Sequence, residues 1–229
     1  MRLDKMLVNC GVGSRKDIKS LVKAGVVTIN GETAKKSDVH INEAEDVICI
    51  NGERVVYREF VYLMLNKPAG HVSATEDFKY PTVIDLVPDE YRHFDLFPVG
   101  RLDIDTEGLL IITNDGAYAH NMLSPKKHVY KTYYARLDQA ATADDVKSFA
   151  EGITIQGGYT CKAAELTLLE EDVPSALVTI CEGKFHQVKL MFNAVGKNVT
   201  YLKRIKFGEF DLPEDLGLGE IAEVEPTLK

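Results

Sequence analysis

The sequence contains no tryptophan and only four cysteines, and it lacks the uninterrupted apolar run of roughly 18 residues that spans a bilayer. Its first residues, MRLDKMLVNCGVGSRKD, have neither the apolar core nor the small-residue cleavage site of a secretory signal peptide. The cysteines are widely scattered, with no CxxC pair, at Cys10, Cys49, Cys161 and Cys181. We therefore expect a soluble, cytoplasmic protein with reduced cysteines, no disulfide framework and no membrane partner.

Motifs for metals and nucleotide cofactors are also missing. None of the six histidines falls in an HExxH motif or another metal-ligand spacing. Neither GxGxxG nor GxxxxGK[ST] occurs, because Gly11-Val12-Gly13 is followed by Ser-Arg-Lys rather than by a spaced third glycine. The sequence therefore predicts a function without a metal or a nucleotide cofactor.

The charge is unevenly distributed along a chain that is acidic as a whole. Hydrophobic residues make up 45% of its 229 residues, which is enough to form the core of one large domain or of two small ones. The net charge is -8, yet residues 1–36 carry eight Lys or Arg against three acids. The last 21 residues carry seven acids and one lysine. The negative net charge therefore does not exclude a nucleic-acid partner for the amino-terminal part.

Residues 1–58 have the pattern of a small, separate module of two helices and two hairpins. The first helix is predicted from apolar residues at helical spacing, namely Leu3, Met6, Leu7 and Cys10. Ser14 and Asp17 form a capping-box pattern that predicts the start of a second helix, which ends at Gly25. The hairpin turns are predicted at Asn30-Gly31 and Asn51-Gly52, each following a short apolar strand.

The second predicted helix has a basic face. Lys16, Lys19 and Lys23 recur at i, i+3 and i+7, so they project from one side of the helix, and Arg15 precedes them. Three lysines alone are more often a solvated helix face than a phosphate-binding surface. However, two basic helices followed by VTINGETAKKSDVHI resemble the S4 RNA-binding domain. This resemblance implies that Arg15, Lys16, Lys19 and Lys23 contact RNA.

Residues 59–229 are predicted to form an α+β domain, with strands of varied length between two helical stretches. In the segment LNKPAG, residues 65–70, a strand runs into a Pro/Gly turn, which alone is an ordinary structural feature. In GRLDIDTEGLLIITND, residues 100–115, a loop with one arginine and several carboxylates directly precedes a buried strand. Polar side chains held against a rigid strand in this way commonly carry function.

A third segment, EGKFHQVKLMFNAVG at 182–196, has the pattern of an amphipathic helix. Its core-facing stripe consists of Val188, Met191, Phe192 and Val195, and Gly196 ends it. On another face His186, Lys189 and Asn193 align at i, i+3 and i+7. Residues 128–137 alternate as a strand, which places Tyr133 on the same face as Val129, Lys131 and Ala135. A packed core position is an equally good interpretation of Tyr133.

Together these segments resemble the pseudouridine synthases, and in particular their ribosomal small-subunit branch (RsuA). LNKPAG, GRLDIDTEGLLIITND, KTY at 131–133 and EGKFHQVKLMFNAVG match the family motifs in order and spacing. The resemblance implies a small S4 domain over residues 1–58, followed by a catalytic domain over 59–229 on a mixed, largely antiparallel sheet. The chain departs from its relatives at Leu190, where they usually carry a second basic residue.

The resemblance also implies a reaction and the residues that carry it. Conversion of uridine to pseudouridine breaks the N1–C1′ bond and joins C5 to C1′, with no redox step and no cofactor. By resemblance Asp103 is the catalytic aspartate and Lys189 is the cation paired with it. Tyr133 is implied to stack on the uracil and to relay the proton. Arg101, His186 and Gln187 are implied RNA contacts. Three roles stay open for the aspartate: attack at C6, attack at C1′, or promotion of a glycal-like intermediate.

The substrate implied is ribosomal RNA, either free or within a ribosomal-subunit precursor, and the protein is expected to be a monomer. HQVK at 186–189 favours the small-subunit (16S) branch over the large-subunit (23S) branch, in which RQVR stands at this place. A third alternative is a non-catalytic S4-type RNA-binding or ribosome-assembly factor. The presence of Asp103, Tyr133 and Lys189 counts against it.

Overall fold

The computed structural model describes residues 1–227, which form two compact units. The first comprises Met1–Val61 together with Pro88–Asp95, and the second comprises Tyr62–Val87 together with the chain from Leu96 onward. The division expected after residue 58 remains a prediction. No helix within residues 1–227 is both long enough and apolar enough to cross a membrane.

The first unit contains two helices and one antiparallel sheet. Its helices are α1 (Leu3–Asn9) and α2 (Arg15–Lys23), and a short 3-10 turn covers Asp89–Tyr91. Its strands are β1 (Val27–Ile29), β2 (Glu32–Thr33), β3 (Ile48–Ile50) and β4 (Glu53–Val55). They pair in the order β2-β1-β3-β4. Both predicted helices and both predicted hairpins are therefore confirmed.

Local signals in the sequence account for these elements. The Ser14 side chain accepts a hydrogen bond from Asp17 N, and the Asp17 carboxylate accepts one from Ser14 N, so a capping box begins α2. Asn30 and Gly31 both have positive φ, 51° and 85°, as a tight two-residue hairpin turn requires. The core beneath them is formed by apolar side chains of both helices and the sheet: Leu3, Met6, Leu7, Ile18, Val22, Val27, Ala34, Ile41 and Ile48.

The second unit is built on a nine-stranded sheet. Its strands are β5 (Tyr62–Lys67), β6 (Phe97–Pro98), β7 (Glu107–Thr113), β8 (Lys131–Leu137), β9 (Glu165–Leu168), β10 (Ser175–Ile180), β11 (Val199–Phe207), β12 (Phe210–Asp211) and β13 (Ile221–Glu223). The main order is β13-β5-β7-β11-β8-β10-β9, with β6 on β7 and β12 on β11. The pair β7–β11 is parallel and the other pairs are antiparallel, which confirms the predicted mixed, largely antiparallel sheet.

Three α-helices accompany this sheet, whereas the sequence led us to expect two helical stretches. They are α3 (Gly116–Leu123), α4 (Ala143–Glu151) and α5 (Gln187–Ala194), and a 3-10 turn covers Val83–Leu86. The Asp115 carboxylate caps α3 by accepting a hydrogen bond from Tyr118 N at 2.9 Å.

The centre of the sheet leaves no room for a side chain at Gly108. This glycine has φ of 101°, and a Cβ atom there would overlap the carbonyl oxygen of Arg204 on the neighbouring strand β11. In the antiparallel pair β5–β7, Gly108 lies opposite Lys67. The carboxyl end of β5 is therefore held beside the loop that enters β7.

Candidate functional site

The candidate site is built on the loop between β6 and β7. Asp103 begins a turn that is closed when Thr106 N donates to Asp103 O at 3.0 Å. The Asp103 side chain is 26% exposed, whereas that of Asp105, two residues on, is 67% exposed. The two carboxylates therefore share one turn but differ in their access to water.

The backbone of this turn is fixed by Lys67, the last residue of β5. Lys67 is fully buried, and its Nζ donates to the carbonyl oxygens of Asp103, Ile104 and Thr106 at 3.1, 3.4 and 2.9 Å. It also donates to Pro68 O at 3.1 Å. Burial lowers the pKa of Lys67 to about 8, although the carboxylates of Asp105 and Asp103 act in the opposite direction. Lys67 therefore holds the loop as a buried cation.

Two further contacts hold the same loop. Gly70 N donates to Ile104 O at 2.7 Å. The Ser73 hydroxyl donates to Leu102 O at 3.1 Å and accepts from Leu102 N at 3.0 Å. The segment that follows β5 thus fixes the residues on both sides of Asp103. Such pre-organisation is what a reacting carboxylate needs.

Lys189 brings a second cation to the two carboxylates. Its Nζ lies 3.0 Å from Asp103 Oδ2 and 2.7 Å from Asp105 Oδ1. Partial burial alone would lower the pKa of Lys189, but its hydrogen bonds to Asp105 and Asp103 raise it overall. Burial likewise opposes the charge on Asp105, yet Lys189 lowers the pKa of Asp105 overall. Lys189 is therefore held as an ammonium group beside Asp103.

His186 also approaches Asp103, but not from a helix face as the sequence pattern predicted. The helix α5 begins at Gln187, and His186 precedes it with a left-handed backbone, φ 52°. Its Nε2 lies 3.5 Å from Asp103 Oδ1. Its ring stacks on that of Phe185, with centroids 3.7 Å apart and planes 19° from parallel.

Gln187, an RNA contact implied by the resemblance, is bonded within its own loop. It is only 3% exposed, and its Nε2 donates to Glu182 Oε1 at 2.8 Å. Its Oε1 accepts from Lys184 N at 2.9 Å. Gln187 therefore fixes the loop that carries His186, and its contact with RNA stays a prediction.

Tyr133 and Arg101 are not bonded to the Asp103 group. Tyr133 is buried in β8, opposite Val178 of β10 and Arg204 of β11. Within residues 1–227 the Tyr133 hydroxyl has no hydrogen-bond partner, and the exposed Arg101 guanidinium has neither a hydrogen bond nor an ion pair. Both polar groups are thus free to meet a ligand, and their roles remain predictions.

The basic residues of the first unit lie where the helix pattern predicted. On the apolar side of α2, Ile18 and Val22 are buried in the core. The exposed side presents four cations, Arg15, Lys16, Lys19 and Lys23. This surface is suited to phosphate contacts, and its use for RNA stays a prediction.

Sequence analysis missed Lys67 and Ser73. A signal for Lys67 was available, since a lysine two residues after the apolar run Val61–Leu65 must bury its charge unless the strand ends before it. Its acceptors in the 103–106 turn, however, lie 36 to 39 residues further along the chain. Ser73 gave no signal in the sequence. Within residues 1–227 no three His, Cys, Asp or Glu side chains are grouped so that they could hold a metal ion.

Comparison with known proteins places both units among described families. The family model for RNA pseudouridylate synthase matches residues 61–194, and the S4 domain model matches residues 1–48. The chain is 48% identical to an uncharacterised RNA pseudouridine synthase, YtzG, of Bacillus subtilis, over 98% of this chain and 95% of that protein. Asp103 and Lys189 of the candidate site both lie within the first match.

Two relatives with named targets are also similar over nearly their whole length. Ribosomal small subunit pseudouridine synthase A of Yersinia pestis is 38% identical over 96% of this chain and 93% of that protein. Ribosomal large subunit pseudouridine synthase B of Bacillus subtilis is 35% identical over 98% and 92%. A crystal structure of a pseudouridylate synthase superposes with a TM-score of 0.68 at 36% identity, covering 98% of this chain and 96% of that one.

Proposed function

Because this chain belongs to the RNA pseudouridylate synthase family, we propose that it isomerises a specific uridine of small-subunit (16S) ribosomal RNA to pseudouridine. The observation that carries the proposal is the ion pair of Asp103 and Lys189, whose Oδ2 and Nζ atoms lie 3.0 Å apart. The loop of Asp103 is held by hydrogen bonds from the buried Lys67 ammonium group to its carbonyl oxygens. A carboxylate held in a fixed position next to a cation suits covalent or ion-pair catalysis at a sugar or a base.

In this proposal the chain's own residues divide the chemistry among them. The N1–C1′ bond of the target uridine breaks, the uracil turns within the site, and C5 joins C1′. C5 then loses its proton, and N1 gains one. Asp103 acts on the reacting nucleoside, Lys189 is the cation paired with the Asp103 carboxylate, and the Tyr133 ring stacks on the uracil while its hydroxyl handles the C5 proton. The reaction needs no oxidant, no reductant and no donor of a chemical group, because the product is an isomer of the substrate.

A uridine inside structured RNA must leave its stack before Asp103 can reach it, which costs a few kcal/mol. The amino-terminal S4 domain would supply sequence-independent phosphate contacts through Arg15, Lys16, Lys19 and Lys23. Arg101 would contact the RNA beside the flipped nucleotide. Most of this acidic protein repels RNA, so these cations would select the part of the surface that the RNA approaches.

Large-subunit rRNA is a second candidate substrate, because a relative named for the large subunit is 35% identical over 98% of the chain. The segment His186-Gln187-Val188-Lys189 and the 38% identity to a small-subunit enzyme favour 16S rRNA. The discriminating experiment is to map pseudouridines in both rRNAs from a deletion strain by carbodiimide-blocked reverse transcription.

We expect one 16S site to be lost in the deletion strain and restored by the intact gene, but not by a gene that carries Asp103→Asn. Loss of a 23S site instead would select the second candidate. An unchanged set of pseudouridines in both rRNAs would contradict the proposed function. A strain carrying Asp105→Asn serves as the matched control, because it alters a carboxylate on the same turn.

A further inference from the structure

Phe185 is an exposed aromatic ring at the candidate site to which the catalytic scheme gives no task. Its exposed fraction is 74%, and it directly precedes His186 in the loop before α5. Single exposed apolar residues are common on protein surfaces and need no explanation by themselves. Phe185 differs in two respects. Its ring stacks on the His186 imidazole, and hydrogen bonds of the Gln187 side chain hold its loop.

One face of the Phe185 ring is already stacked. The His186 imidazole covers it at a centroid distance of 3.7 Å, and the Nε2 of the same imidazole lies 3.5 Å from Asp103 Oδ1. The two rings therefore form a short stack that begins beside the candidate catalytic carboxylate. The outer face of Phe185 ends the stack and faces solvent.

The loop that presents this stack is fixed on both sides. The buried Gln187 amide bonds Glu182 on one side and Lys184 N on the other. Glu182 in turn accepts from the Tyr159 hydroxyl at 2.8 Å, and Lys184 Nζ lies over the Tyr159 ring at 4.6 Å. His186 adopts a left-handed backbone at φ 52°, an unusual conformation that this network maintains. The backbone that carries the ring is thus held in place by these bonds.

We propose that the outer face of Phe185 stacks on the nucleobase adjacent to the target uridine, so that Phe185 positions the RNA strand and touches no reacting atom. A ring with one open face, held rigidly, stacks on bases of any sequence at little entropic cost. Because the stack begins beside Asp103 and its open end is the outer face of Phe185, the base that Phe185 captures belongs to a nucleotide flanking the reacting one. This inference rests on the proposed function.

Kinetics of substitutions at position 185 test the proposal. On RNA labelled with tritium at C5 of uridine, Phe185→Ala should raise KM about 5-fold to 150-fold, the range that follows from loss of one stacked base, with little change in kcat. Phe185→Leu should resemble Phe185→Ala, since it keeps apolar area without a π-face. Phe185→Trp should keep KM near that of the wild type. Because Phe185 is exposed, the circular dichroism and Tm of all three variants should match the wild type.

The chain's lack of tryptophan supplies a direct reporter. In Phe185→Trp the single introduced indole should lose much of its fluorescence when the same RNA is added, because a base stacks on it. The matched control is Leu168→Trp, at an exposed position of β9 on the far edge of the sheet from β7. Its fluorescence should be unaffected by the RNA.

The two failures can be told apart. If wild-type protein binds the RNA and releases tritium while Phe185→Ala has an unchanged KM, or while the indole at position 185 is not quenched, the stacking role is wrong and the proposed function stands. If wild-type protein releases no tritium from any rRNA, the proposed function fails. In that case quenching at position 185 but not at position 168 would still support a base-stacking site, and no quenching would overturn it.

Discussion

Replacement of Lys67 by methionine should change how stability depends on pH. The fully buried Lys67 ammonium has a pKa of about 8, whereas an unfolded chain returns the group to its ordinary value of 10.5. Between these two values the unfolded state binds more protons than the folded state. The contribution of Lys67 to the free energy of unfolding therefore rises with pH between these two values.

The magnitude follows from the size of the pKa difference. One pKa unit corresponds to 1.36 kcal/mol, so the depression of the Lys67 pKa amounts to about 3 kcal/mol. The wild-type protein should gain about that much more stability than Lys67→Met between about pH 8 and about pH 10.5. Lys131 also has a pKa lowered by burial to about 8, but it is present in both proteins and cancels from the difference.

Urea unfolding followed by circular dichroism at a series of pH values measures this difference. The control is Lys147→Met, because Lys147 is a largely exposed lysine on α4. Its stability profile should run parallel to that of the wild type. If the Lys67→Met profile also ran parallel to the wild-type profile across the window, Lys67 would not be a buried cation, and the account of how the Asp103 loop is held would be wrong.

Three further outcomes are expected. Lys189→Met should lower tritium release roughly 100-fold, because the Asp103 carboxylate needs a neighbouring cation, and Lys189→Arg should restore part of the activity. Normal turnover by Lys189→Met would show that catalysis does not depend on the Asp103–Lys189 pair. Tyr133→Phe should retain RNA binding in a filter assay while turnover falls, so a loss of binding would exclude a chiefly proton-handling hydroxyl. Replacing Lys16, Lys19 and Lys23 together with Gln should flatten the slope of log affinity against log salt by about two units. An unchanged slope in a folded triple variant would remove α2 from RNA binding.

The elements that the sequence predicted well are those specified by neighbouring residues. The capping box of Ser14 and Asp17 and the turn of Asn30 and Gly31 each depend on contacts within a few positions. The helix α5 likewise followed from its apolar stripe, of which Val188, Met191 and Phe192 are buried. In these cases local propensity and burial agree, so one sequence window is enough.

The parts of the site that were missed depend on distant contacts. Lys67 is explained only by the pairing of β5 with β7, which brings the 103–106 turn to its ammonium group. Likewise, His186 was expected on the face of α5, but its backbone is left-handed and the helix begins only after it, at Gln187. Gln187 is buried because its amide is bonded to Glu182 and Lys184. The periodic spacing of apolar residues predicts neither the left-handed backbone at His186 nor the hydrogen bonds of the Gln187 amide.

The most direct test of the central claim compares Asp103→Asn with Asp105→Asn on RNA labelled with tritium at C5 of uridine. The two residues lie on one turn and both bind Lys189 Nζ, at 3.0 and 2.7 Å, so each substitution removes one carboxylate from the same cation. Asp103→Asn should bind RNA and release no tritium, whereas Asp105→Asn should retain measurable turnover. Equal loss of tritium release in both variants, or turnover by Asp103→Asn, would contradict the assignment of Asp103 as the catalytic aspartate.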